Sequence, residues 1–245
     1  MEDKPKPLVK HILELRSAIL HSFAYVLGGM LVSFAFYNYI FEFLLKPVKS
    51  AIGTSSKIIY TSVAEPIATE LRVVFYSGLL LTFPFVINNI WKFIKPGLRL
   101  NEYITIRKYM YFITVLFIIG IIFAYCIVVP NILYVLTKTL ANKNNIMFLP
   151  KISENISFVI VIVMSFGFSF QLPLIMIILD KIKIIPFSRQ KSIWREYIAV
   201  IVIISAIITP PDVLSMIFLA VPLILLYCLT LAYNSITSSS NNKKH

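Results

Sequence analysis

The stretch KHILELRSAILHSFAYVLGGMLVSFAFYNYIFE, residues 10–42, decides the fold class. Between Arg16 and Glu42 it carries 25 residues without a formal charge. Roughly 20 apolar residues cross a bilayer as a helix, so this run is a membrane span with a charged segment, KHILELR, at its edge. The run is too long for the apolar region of a cleaved signal peptide, and no small-x-small site ends it.

The same pattern recurs along the chain. Arg72 and Lys92 bracket 19 uncharged residues, Lys108 and Lys138 bracket 29, and Glu154 and Asp180 bracket 25. Glu196 and Asp212 bracket only 15, which rise about 22 Å at 1.5 Å each. After Asp212 no charge appears until Lys243. Six spans result, at roughly 17–41, 70–91, 109–134, 155–179, 196–209 and 213–233, in a single membrane domain over 1–245. Residues 234–245 form a polar tail, expected to be irregular.

Composition agrees. The 245 residues are 58% hydrophobic and 14% charged, about half the charged share of a soluble domain. The net charge of +12 would suit nucleic acid, but the bases sit in short segments between apolar runs, so no nucleic-acid partner is expected. With the N-terminus inside, inner segments hold sixteen Lys and Arg and outer segments seven. That places both termini on the cytoplasmic side.

Few residues offer chemistry. Cys126 and Cys228 lie in apolar runs, and the three His are scattered. No metal, nucleotide or nucleophile motif is present, so no enzyme, cofactor or metal is expected. Gln171, beside Pro173, is the strongest polar group deep in a span. It reads either as an amide bonding across helices or as a polar patch facing an intramembrane cavity. Asn88 and Asn89 read as markers of the inner interface. Pro84, Pro130, Pro173 and Pro222 bend their helices. At the inner edge Glu14 shares a helical stripe with Lys10, Ser17 and His21. Glu102 is the one acid among five bases in KFIKPGLRLNEYITIRKY. Both acids read either as local charge partners or as receptors for a cation.

The ordered motifs resemble the twin-arginine protein translocase family of TatC proteins. They are HILELR (11–16), TSVAEP (61–66), IWKFIKPGL (90–98) with NE (101–102), ISFVIVIVMSFGFSFQLP (156–173), and TPPDVLS (209–215) with LAVPLILLY (219–227). The resemblance implies an all-α integral membrane protein of six transmembrane helices forming a bent, concave, cupped-hand wall. It implies a receptor core in a bacterial inner membrane, or an organellar one. That core binds twin-arginine signal peptides, joins TatA-type and TatB-type single-span subunits in a multi-copy complex, and moves folded proteins using the proton-motive force. Glu14 and Glu102 match the family's signal-peptide-binding acids, with Arg16, Phe93 and Pro96 as neighbours in the same motifs. Pro47 matches a sensitive proline of the first outer loop. Asp212 matches the acid of TPPD, and also stands where an N-cap for the sixth span belongs. Two positions depart from the family: Gln171, where many members carry glutamate, and Met216, where many carry glutamine. Two alternatives remain: a small-solute secondary transporter, which the scarcity of intramembrane charges disfavours, and an assembly scaffold with no transport role.

Overall fold

The computed structural model describes residues 8–52, 59–95, 100–141, 151–182, 184–208 and 213–242. Within these it describes the backbone alone at 8–11, 52, 100–106, 108, 138–141, 208, 214–215, 233–234 and 236–242.

The described residues fold almost wholly as helix. In order these are α1 (Leu8–Ala35), α2 (Tyr37–Ile52), α3 (Glu65–Ile94), α4 (Leu100–Phe123), a π-helical turn (Ala124–Val128), α5 (Val129–Ala141), α6 (Ile152–Ser169), α7 (Leu172–Lys181), α8 (Phe187–Ser192), α9 (Trp194–Ile208) and α10 (Val213–Asn242). Four helical stretches among them are long and apolar enough to cross a membrane: Ile12–Ala35, Glu65–Ile94, Tyr109–Thr137 and Ile152–Lys181. A shorter apolar stretch covers Met216–Ala232, and α9 has 15 residues. Leu31, Ile203, Ile207, Leu225 and Leu229 point outward, as lipid-facing side chains must when helices satisfy their own backbone.

The spans are interrupted, and proline accounts for two of the breaks. Pro130 has no N–H for the carbonyl four residues back. The π turn immediately before it widens the helix, with the Val129 N–H bonding the Ala124 carbonyl. Pro173 sits in the first turn of α7, where a missing N–H is harmless. The chain therefore bends at Phe170–Gln171 between α6 and α7.

Glycine sets how closely the helices approach. α1 packs chiefly on α3, and α4 on α6. A Cβ on Gly78 would lie 2.7 Å from the Met30 backbone nitrogen, and one on Gly29 2.6 Å from the Gly78 carbonyl oxygen. Small residues let membrane helices meet backbone to backbone, where van der Waals packing replaces the absent hydrophobic drive. The core between the helices is aromatic: Phe83 and Phe117 stack with centroids 3.6 Å apart, and Phe168 meets both edge-on. Polar side chains inside the spans mostly bond their own helix, as Thr82 bonds the Gly78 carbonyl (2.7 Å) and Thr230 the Leu226 carbonyl (2.7 Å).

Two features differ from the sequence reading. The segment after the first span is the helix α2, which buries Leu44, Leu45, Pro47 and Val48. The polar tail prolongs α10 to Asn242; no glycine or proline after Pro222 stops the helix.

The second inner connection is held by Gln190, fully buried in α8. Its Nε2 donates to the Met176 (3.0 Å) and Ile185 (2.9 Å) carbonyls. The Tyr227 hydroxyl donates to the Gln190 carbonyl at 3.0 Å, tying this turn to α10.

Candidate functional site: an acid-edged apolar groove at the inner rim

α1 runs outward and α3 returns, so their inner ends lie side by side. The face that α1 turns to α3 carries Glu14, Ala18 and Ser22, spaced by four residues. The stripe expected for Glu14 is therefore split, since Ser17 and His21 are exposed while Glu14 is half-buried with its Oε2 shut off from solvent. Opposite stand Val86, Ile90, Phe93 and Ile94 of α3. Together with Leu15, Ala18 and Ile19 they line a groove of about 380 Å³, almost entirely apolar.

Asn89 fastens this crossing. Its Nδ2 donates to the Ala18 carbonyl (2.7 Å) and to Ser22 Oγ (3.0 Å). Sequence reasoning took Asn89 for an interface marker; it is a cross-helix bridge, while Asn88 is the exposed member of the pair. An amide at the end of an apolar run fits both roles, and only the partner on α1 separates them.

The other expected residues scatter. Arg16 is exposed one turn from the groove. Glu102 lies in the first turn of α4, which starts six residues after α3 ends and so returns to the same end of the bundle; its side chain lies outside the described residues. Pro96 and Asp212 lie outside them altogether.

Pro47 belongs to the opposite, outer end. It is buried inside α2, where it cannot bond the Phe43 carbonyl. The Tyr125 hydroxyl takes that carbonyl at 2.6 Å, and its ring stacks on Phe43 with centroids 4.1 Å apart. Gln171 is buried at the α6–α7 bend. Its Nε2 reaches only the Gly167 carbonyl, at 3.4 Å, and its Oε1 accepts no hydrogen bond among the described residues. Met216 is half-buried in α10.

The outer end holds a carboxylate that sequence reasoning left without a role. Glu65, in TSVAEP, accepts from the Thr61 N–H (2.6 Å), Thr61 Oγ1 (3.0 Å) and the Ser62 N–H (3.2 Å). Ser153 Oγ of α6 also donates to it. The Ser153 bond first, then the Thr61 N–H, pull its carboxyl from an ordinary 4.5 down to about 2. Nearby, Arg72 bonds Ser157, and the Ile152 N–H bonds the Ile59 carbonyl (3.2 Å).

This arrangement is that of a multispanning helical membrane protein with a preformed apolar cleft at its inner rim, and without a metal-binding cluster among the described residues. Its closest chemistry is capture of an amphipathic ligand. Residues 10–222 match the family model described as Sec-independent protein translocase protein (TatC), and the chain belongs to that family. It is 31% identical over 225 residues to the Sec-independent protein translocase protein TatC of Magnetococcus marinus, spanning 92% of this chain and 82% of that one. It is 34% identical over 226 residues to the corresponding Helicobacter pylori protein, spanning 91% and 85%. A crystal structure described as the twin arginine translocase receptor TatC superposes with a TM-score of 0.81 at 28% identity, covering 93% of this chain and 99% of that one.

The protein is thus a non-enzymatic core subunit of the twin-arginine translocase and a multi-pass inner-membrane protein. The all-α membrane class expected from the sequence is the class found, and the four long spans with the shorter α9 and Met216–Ala232 stretches accommodate the six expected. The small-solute transporter and the scaffold without transport are set aside by the family.

Proposed function

We propose that this subunit is the receptor for twin-arginine signal peptides, and that Glu14 and Glu102 bind the two arginines. The observation that supports the reading is that Glu14 is half-buried on α1, next to Leu15 and one turn from Ala18, both of which line the apolar groove with Phe93. A guanidinium offers a planar fork that a carboxylate can accept bidentately, which an ammonium cannot. Each charged hydrogen bond contributes roughly 1.5–3 kcal/mol. Two give about 3–6 kcal/mol, which alone supports only millimolar to tens-of-micromolar binding. The apolar segment that follows the arginines supplies the remainder by burial in the groove, at about 25 cal/mol per Å². Arg16 and Pro96 belong to the same binding motifs as the acids.

The same reading has the subunit recruit TatA-type and TatB-type single-span partners within a multi-copy complex. Gln171 is its intramembrane polar contact for a partner helix, which reaches the buried Oε1 only by opening the α6–α7 bend. Pro47 is a functionally sensitive position of the first outer connection, and Asp212, immediately before α10, caps that helix.

Peptide binding in nanodiscs tests the receptor reading. A twin-arginine peptide with its apolar segment is expected to bind at least tenfold more tightly than the same peptide with that segment made polar. Equal affinity of the two would remove the groove from the account.

A further inference from the structure

We infer that Asn89 is a positioning residue for signal-peptide recognition: it fixes the rotation of α1 so that the face carrying Glu14, Ala18 and Ser22 stays turned to α3 beside the groove. The inference rests on the receptor reading above. Asn89 spends both amide protons on α1, one on the Ala18 carbonyl and one on Ser22 Oγ. These acceptors lie on successive turns of one face. A bond to a single turn would fix a distance; bonds to two turns also fix the rotation of the helix about its own axis.

Rotation is what matters at this place. Glu14 lies one turn inward from Ala18 on α1, and Phe93 lies one turn inward from Asn89 on α3. The Asn89 bridge therefore sits one turn outward of both Glu14 and Phe93. A residue step on a helix is 100°, so a fraction of that rotation turns Glu14 from the groove toward the lipid. The tight glycine crossing at Gly29 and Gly78 lies further out along the pair. It fixes separation there, and leaves the rotation of the inner ends to be set by polar bonds.

The amide is also placed to act without touching the ligand. Asn89 is not among the side chains that line the groove, and both its donors are spent on α1. Its effect passes through Glu14.

The test uses the full chain in nanodiscs with two readouts. Pulsed spin-label distances between Leu13→Cys and Lys92→Cys, in a Cys126→Ser, Cys228→Ser background, report the α1–α3 inner ends. Binding of a twin-arginine peptide, its twin-lysine counterpart and a peptide with both arginines made glutamine reports recognition. Asn89→Leu is expected to shift or broaden the distance distribution and to cut the arginine-over-lysine preference about tenfold. Binding of the glutamine peptide, which uses the groove alone, should change less than twofold. Asn89→Gln keeps the donor and restores the preference. Ser22→Ala gives a smaller loss in the same direction.

An unchanged distance distribution in Asn89→Leu overturns the inference, as does an equal loss for all three peptides. If the wild-type protein binds arginine and lysine peptides alike, the receptor reading falls. The distance measurement still decides whether Asn89 sets the orientation of α1.

Discussion

Two carboxylates sit at opposite ends of the same helix pair and are used in opposite ways. At the outer end Glu65, at the start of α3, accepts four donors from its own turn and from α6. At the inner end Glu14, on α1, is half-buried beside Leu15, which lines an apolar groove. The outer carboxylate is saturated by its own chain and closes a joint between the first outer connection and α6. The inner one stands where apolar walls lower the dielectric around it, which strengthens an ionic contact once water leaves.

That contrast can be broken or sharpened by substitution. The largest effect is expected where the two ends are joined. Gly78→Val drives a side chain into the Met30 backbone and should cost about 3 kcal/mol through overpacking. Denaturant unfolding in detergent would read it, and both ends should suffer. Next, Glu14→Gln is expected to weaken twin-arginine peptide binding about tenfold, near 1.4 kcal/mol, with thermal stability unchanged. Tyr125→Phe strands the Phe43 carbonyl that Pro47 leaves unbonded. It should lower stability by about 1 kcal/mol and leave peptide affinity alone. If Tyr125→Phe weakened binding as much as Glu14→Gln, the two ends would not be separable.

The smallest effect concerns pH. Glu65 has its carboxyl lowered to about 2, so its contribution is fully present above its unfolded value near 4.5. It is lost as pH falls toward 2. Unfolding midpoints followed from pH 5 to pH 2 should therefore decline, and Glu65→Gln should flatten part of that decline. An identical slope in the variant would mean that the outer joint does not depend on this carboxylate's charge.

The spans were legible because charge is nearly absent from them. The runs behind α1, α3, α4–α5 and α6–α7 stand out by length alone, and prolines at 130 and 173 mark bends that the π turn and the α6–α7 break realise. α2 was not legible. Its charged and apolar residues alternate, and Pro47 argues for a loop, yet a tyrosine 78 positions further along supplies the missing bond. The inner site was half legible. KHILELR placed an acid at the membrane edge, and the motif resemblance gave Glu14 and Glu102 their roles. The partner of Asn89 lies 71 residues away on α1, and that of Glu65 is 88 residues away on α6. Such pairings leave no local pattern, so neither bridge was visible before the helices were placed side by side.

The central claim is that inner-rim carboxylates read arginine. The most direct test compares binding of a labelled twin-arginine peptide and its twin-lysine counterpart to the purified protein, repeated with Glu102→Gln. The account predicts tighter binding of the arginine peptide, and loss of that preference in the variant. Equal binding of both peptides, unchanged by Glu102→Gln, would contradict it and leave the acids as charge partners of their neighbouring bases.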